Sequence, residues 1–448
     1  MFTADNALDR ATDLIARASR AGADAADVVY GASASRDVSV RLGVLEDVGS
    51  AEGAEIGLRI FVGKRSATAS TSDFSSDSIA TLVDRTVAMA RLAPEDQFAG
   101  LAPDDMLAHG PFASFDTNDA RDVAPEVLKE RALEAEDAAR AIPGVTNSQG
   151  GSASVGHGVH ALATSAGFAG ASLGSSHSVS ASVLAGAGAD MQRDYAYHSA
   201  RHLSDLDDAI AIGREAGTRA VGRLNPVRLK SGPTTVVFDP RVGPSLLGAL
   251  MGAISGSAIA RKTSFLLDAL GTQLFDSAVT ITDDPWQIRG FRSRAFDGEG
   301  LATKPTTIID KGVLTGWIAD SASARQIGIA PTGHAARGIS GAPGASAANL
   351  RMEPGSVTPA ALMVDIVDGF YVTELIGMGV NGLTGDYSRG ASGFRIVNGA
   401  LAGAVAEVTI AGNLKDMFRA LTPANDLTLR YTTNTPTLRI GNMMVAGD

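Results

Sequence analysis

Apolar residues recur at helical spacing between Ala7 and Ala21, at Leu8, Ala11, Leu14, Ile15 and Ala18, and the Gly-Ala pair at 22–23 ends the run. The pattern then changes to period two. Strands are predicted at residues 26–30, from Asp37 to Val44 and from Glu55 to Val62, and a turn at residues 63–65 returns the chain as a hairpin over Ser66–Ser70. Helical spacing resumes from Ser78 to Leu92, and the Pro- and Asp-containing stretch from Ala93 to Asp119 reads as a surface connection. A helix over Pro125–Ala141 is stopped by Pro143-Gly144. The Gly-, Ala- and Ser-rich stretch from Gln149 to Asp190 resembles a linker in composition, yet it alternates: His177, Val179, Ala181 and Val183 on one side, Ser178, Ser180 and Ser182 on the other. That is the period of strands buried on one face, and several antiparallel strands are expected there.

A helix from Leu206 to Leu224 runs to Asn225-Pro226, a plausible domain boundary. Beyond it the chain is strand-rich, with runs at 234–238, 278–282, 306–309 and 406–410 and one apolar, small-residue helix near Ser245–Ile254. Lys311-Gly312 and Asn398-Gly399 sit between strand-like runs as hairpin turns. The pattern predicts an α/β (α+β) protein: an amino-terminal α/β domain over 1–110, a middle region of antiparallel strands and helix over 111–225, either separate or part of the first domain, and a larger β-dominated domain over 226–448 with few helices.

Composition narrows the partners. With 45% hydrophobic and 19% charged residues, the 448-residue chain has ample core material for more than one domain. A formal charge of -11, without clusters of Lys and Arg, argues against a surface that tracks nucleic-acid phosphates. The absence of cysteine removes thiolate chemistry and fits a cytoplasmic setting. The amino terminus reads as an amphipathic helix and not a signal peptide, and no later run has the length of a membrane span.

Residue chemistry alone names no active site. Zinc hydrolysis needs imidazoles or carboxylates converging on the metal, with a carboxylate base nearby. His109, His157, His160, His177 and His334 show no such pairing. His198 and His202 have i, i+4 spacing, but the Tyr and Ala alternation around them suits a strand, which would hold the two rings apart. No GxSxG elbow occurs beside a strand-to-helix turn, and the Gly-rich segments at 186–190 and 377–382 lack the GKS or GKT ending of a phosphate loop. Asp297, Glu299 and Asp310, or Asp283 with Asp284, offer hard oxygen ligands, but their setting reads as solvated loops or a local hydrogen-bond frame.

The carboxy-terminal half carries a series of segments in family order: VVFDPRVGPSLL (236–247), AISGSAIARKTSFL (253–266), FDGEG (296–300), DKGVLTGW (310–317), PTGHAAR (331–337), NLRMEPG (349–355), GDYSRGASGF (385–394) and TIAGNL (409–414). With GLRIFVGKR (57–65), these resemble the TldD/PmbA family, in particular its TldE (PmbA) branch. In the family's catalytic branch an HExxxH helix binds zinc and a late Cys completes the site. The resemblance places the three functional positions of that motif on Gly248, Ala249 and Ala253, which have no ligand atoms, and residues 430–447 contain no Cys.

What the resemblance implies is a non-catalytic subunit of a metallopeptidase that cleaves unfolded peptides or small proteins. Zinc is then expected in a TldD-type partner with HExxxH, with no cofactor in this chain. Arg337, Asp386, Tyr387, Ser388 and Arg389 match loop motifs of the family and are candidates for lining the substrate cavity. The alternative is a stand-alone homodimeric protein that binds peptides or acts as a scaffold. The family's historical association with DNA gyrase modulation raises nucleic-acid contact, which the acidic charge disfavours.

Overall fold

The computed structural model describes residues 3–447. Met1 and Phe2 of the amino-terminal amphipathic segment, and Asp448 at the end of the carboxy-terminal segment, lie outside the described residues.

Helix α1 (Ala4–Arg20) starts at Thr3, whose side chain accepts the Asn6 N–H, and buries Ala7, Ala11, Leu14 and Ala18 along one stripe. The two runs expected at 26–30 and from Asp37 form one continuous strand, β1 (Ala25–Arg41). Strand β2 (Val44–Val62) pairs along the whole of β1 on one side, and β4 (Val145–Thr164) pairs from Asp27 to Val40 on the other. These two ladders hold the backbone extended through Gly31–Arg36, where the side chains show no apolar alternation. Leu42 and Gly43, with φ of 52° and 77°, make the tight turn between β1 and β2.

Strands β3 (Arg65–Thr71), β5 (Ala169–Ala185) and β6 (Gln192–Ala200) complete a six-stranded antiparallel sheet in the order β3-β2-β1-β4-β5-β6. Segments 25–71 and 145–200 therefore share one sheet. The alternation read at 177–183 is a one-sided burial pattern, with Val179, Ala181 and Val183 under helices α3 (Pro125–Arg140) and α4 (Ala209–Gly222). Helices α1 and α2 (Ser76–Leu92) cover the same face over β1, β2 and β4. On the opposite face Val29, Leu162 and Phe168 pack with Ala102 and Leu107 of the long connection and with Phe296 and Leu301 of the carboxy-terminal domain.

That second domain is built around β7 (Gly232–Phe238), which runs parallel to Asp368–Ile376 and antiparallel to Leu438–Ala446. The sheet continues through Asp386–Val397 to Ala400–Asn413, whose Thr409–Ala411 pairs back with Met444–Ala446, so five strands close on themselves. A smaller five-stranded sheet includes Ile281–Asp283, Thr306–Asp310 and Leu350–Met352, so the 278–282 strand is shorter than its sequence pattern. The hairpin turns at 311–312 and 398–399 form as expected, all four residues with positive φ. Between the sheets lies the largest core, around Phe238, Phe275, Phe370 and Phe418. The molecule is a mixed α+β protein whose larger domain is β-dominated.

The two domains dock tightly. Ile339 lies on the first sheet over Gly57, where a Cβ would fall 1.6 Å from its carbonyl oxygen, so only glycine admits this approach. Arg325 donates to the carbonyls of Phe98, Gly100 and Leu101 at 2.8–2.9 Å. Asp27 of β1 is paired with both Arg59 and Arg337.

Candidate functional site

Helix α5 (Pro244–Ala253) follows β7 through the turn at Asp239–Gly243. Proline at its start fixes a helical φ without wasting a donor, and Leu246, Leu247, Leu250 and Ala253 turn into the main core. Ala249 is partly buried against that core, whereas Gly248 and Gly252 are exposed, with no atom within 4 Å of where a Cβ would stand. The helix therefore presents a smooth open face, and none of Gly248, Ala249 and Ala253 carries a donor atom for a metal.

Among the described residues no group of three or more His, Asp or Glu side chains gathers to hold a metal ion. His198 lies on β6 and its Nδ1 accepts the Asp207 N–H at 3.0 Å, while His202, beyond the strand, contacts the Asp116 carbonyl at 2.9 Å. The i, i+4 pair is split between separate partners, as strand geometry requires. A zinc ion does not fit the donors present.

Beside the first turn of α5 opens a cleft between the domains. Its inner part, 340 Å³, is lined by Arg193, Asp194 and Tyr195 of β6, by Arg223 after α4, by Arg241, Val242 and Ser245, by Thr373–Leu375, and by Arg389. Sharing Tyr195 and Arg241, a second cavity of 470 Å³ continues past Tyr197, Arg430 and Tyr431. Strand β6 is the edge of the first sheet, hydrogen-bonded as a strand to β5 alone. Tyr195 and Tyr197 stack with ring centroids 6.2 Å apart, and Tyr431 lies 5.6 Å from Tyr197. Burial, together with the neighbouring Tyr431, pushes the Tyr197 hydroxyl up to about 12, so it stays a neutral hydrogen-bonding group.

Charges in the inner cavity are unequally partnered. Asp194, only 3% exposed, takes Arg223 at 3.4 Å and Arg241 at 3.2 Å. Arg223 also pairs with Glu374, and Arg241 lies 3.5 Å from Asp239. Burial opposes the charge on Arg241, but the carboxylates of Asp194 and Asp239 outweigh it and raise its pKa. Arg193 and Arg389 have no carboxylate partner among the described residues. Arg241 faces Asp239 through its Nε, whereas the Nε of Arg389 is buried without a hydrogen-bond partner among the described residues.

Of the five residues singled out by loop motifs, Arg389 alone lines this cleft. Arg337 has a side-chain exposure of 0% and lies in the domain interface against Asp27. Tyr387 is buried in the main core. Asp386 is exposed and holds its own loop through Thr384 Oγ1 and Asn413 Nδ2, which lower its pKa. Ser388 is exposed, its N–H donating to the Gly379 carbonyl at 2.7 Å.

The acidic motif residues do frame-building work. Asp297 accepts the N–H groups of Glu299, Leu301 and Ala335 at 2.9–3.0 Å, tying segment 296–300 to segment 331–337. Glu299 accepts the Ser321 N–H at 2.7 Å, and its burial pushes it up to about 7. Both are buried, so the hydrogen-bond frame expected from sequence is present while the solvated alternative is not. Sequence reasoning missed Arg193, Asp194, Arg223, Arg241, Arg430 and Tyr431. The alternating tyrosines at 195 and 197 were the one local signal of an exposed strand face there.

Comparison with known proteins matches three family models along the chain: PmbA/TldA metallopeptidase domain 1 over residues 26–90, the central domain over 118–224 and the C-terminal domain over 231–447. Metalloprotease PmbA of Escherichia coli O157:H7 is 36% identical over 426 residues, covering 95% of this chain and 92% of that protein. The Metalloprotease PmbA homolog of Haemophilus influenzae is 34% identical, covering 96% and 94%. The crystal structure of a Bacteroides thetaiotaomicron protein described as a modulator of DNA gyrase superposes with a TM-score of 0.91 at 28% identity over 100% of both chains. TldE from Thermococcus kodakarensis shares the fold, with a TM-score of 0.85 at 21% identity, covering 97% of this chain and 99% of that one.

Proposed function

Because the chain belongs to the PmbA/TldD metallopeptidase family, we propose that it is a subunit without catalytic metal, which completes the substrate cavity of a peptidase whose zinc and HExxxH helix reside in a TldD-type partner. The observation that carries this reading is α5, the helix that follows β7, in which the positions the resemblance assigns to the zinc motif are Gly248, Ala249 and Ala253. Activating water on a metal requires ligands and a general base together, and all three side chains lack them.

The chain's own contribution is then to hold an extended substrate. Strand β6 offers an edge to which an unfolded peptide can add by main-chain hydrogen bonds, a mode that tolerates many sequences. Tyr195, Tyr197 and Tyr431 supply aromatic surface along it, and Arg389 lies at its inner end. The open face at Gly248 and Gly252 leaves room beside the cleft for a partner's backbone to approach.

Mixing the purified chain with a family member that retains HExxxH tests this. The expected result is a stable complex that cleaves an unfolded peptide, with neither chain matching that rate alone. A pair that stays separate, with this chain binding peptide as a homodimer, would favour the scaffold role instead.

A further inference from the structure

We infer that the inner cavity beside α5 is a carboxylate-binding subsite that anchors one acidic group of the peptide, between Arg193, Arg241 and Arg389. The inference rests on the peptide-holding role proposed above and gives it a substrate class: peptides bearing a carboxylate, at their carboxy terminus or on an Asp or Glu side chain, at one end of the bound stretch.

Three independent features converge. The first is charge: four arginines line the cavity, against the carboxylates of Asp194 and Glu374 in its lining and of Asp239 beside Arg241, in a chain whose overall formal charge is -11. All three carboxylates are engaged by Arg223 and Arg241, which leaves Arg193 and Arg389 without a carboxylate partner among the described residues. Such an excess, held in a concave site, is the electrostatic complement of an anion.

The second feature is an unfilled donor. Arg389 Nε is buried and has no hydrogen-bond partner among the described residues, whereas Arg241 Nε lies 3.5 Å from the Asp239 carboxylate. Buried donors are normally satisfied, so Arg389 is the arginine beside the cavity whose bonding is least complete. The guanidinium fork matches a carboxylate in plane and spacing, which an ammonium does not. The third feature is α5, whose amino-terminal end borders the cavity through Val242, just before the helix, and Ser245 of its first turn, so the positive end of its dipole adds to the field of the arginines.

Geometry sets the direction. The inner cavity of 340 Å³ accommodates a terminal residue, and through Tyr195 it opens onto the aromatic stretch of β6. A peptide strand lying on β6 thus places its anionic end near Arg389 and runs outward past Tyr197 towards Tyr431.

The test measures binding of a fluorescently labelled unfolded peptide to the full chain alone, without zinc or partner. Four forms are compared: the acidic peptide with a free carboxy terminus, its carboxy-terminal amide, a version with each Glu and Asp replaced by Gln and Asn, and the doubly neutral form. The doubly neutral form is expected to bind about 10-fold more weakly than the acidic one. The single neutralisation that reproduces this loss identifies the carboxylate. Raising the salt should shrink the difference, and R389Q or R193Q should remove most of it. Arg193 is exposed, so R193Q keeps the test decisive where R389Q disturbs folding. Equal affinity for all four forms would overturn the carboxylate subsite while leaving peptide holding intact, and no binding of any form would sink both.

Discussion

Two clusters of arginine and carboxylate bridge the domains, and they differ in whether their charges are closed off. Around Asp27 the side chains are sealed: Arg59 and Arg337 converge on one carboxylate that is itself 3% exposed, next to the frame built by Asp297 and Glu299. Around Asp194 the same residue types surround an open cavity, and two arginines are left over. The first arrangement fixes the domains against each other; the second leaves binding capacity unspent. Residue type does not separate glue from site here. What separates them is access: the Asp27 cluster is buried in the interface, whereas the Asp194 cluster lines an open cavity.

The contrast can be broken most forcefully at Arg337. Replacing it by alanine removes one of two cations from a buried carboxylate, and such losses cost roughly 3–5 kcal/mol. Denaturant midpoints for R337A should fall accordingly, while peptide affinity per folded molecule should hold. A loss of peptide binding without loss of stability would place Arg337 in the site instead.

Glu299 comes next. Its folded-state pKa, about 7, lies above the ordinary 4.5, so the folded protein keeps a proton that the unfolded chain has released between those pH values. Glu299 therefore contributes stability at low pH that is lost as pH rises from about 4.5 to about 7, at most about 3 kcal/mol. His334, pushed down to about 4 by burial and by Arg294, acts in the opposite sense: stability rises with pH from about 4 to 6.5. The wild-type profile sums both, and the difference between wild type and E299Q across this range isolates Glu299. An unchanged pH slope in E299Q would remove it from the sealed cluster's energetics.

The smallest expected stability effect is at Arg193. R193Q should shift stability by no more than about 0.5 kcal/mol, because its side chain is exposed and unpaired. A midpoint shift as large as that of R337A would erase the distinction between the clusters.

The sequence made α5 legible almost to the residue, expected at Ser245–Ile254 and found at Pro244–Ala253, because an apolar helix in a strand-rich region has a local signature. The long β1 reads locally as two strands because Gly31–Arg36 has no apolar alternation; pairing on both of its edges, invisible locally, keeps it extended. The same reason hid most of the cleft. Arg193, Arg223, Arg241 and Arg389 come from four separated segments, and whether an arginine is paired or spare is decided only when those segments meet. Arg389 was reachable through a motif, whereas Arg337, in an equally recognisable motif, is buried in the interface.

The central claim concerns α5, and metal content tests it most directly. The purified chain is incubated with zinc, freed of loose metal by gel filtration and analysed for bound zinc and for peptidase activity. The account predicts far less than one zinc per chain and no cleavage. One tightly bound zinc per chain, with cleavage of an unfolded peptide that a chelator abolishes, would contradict it.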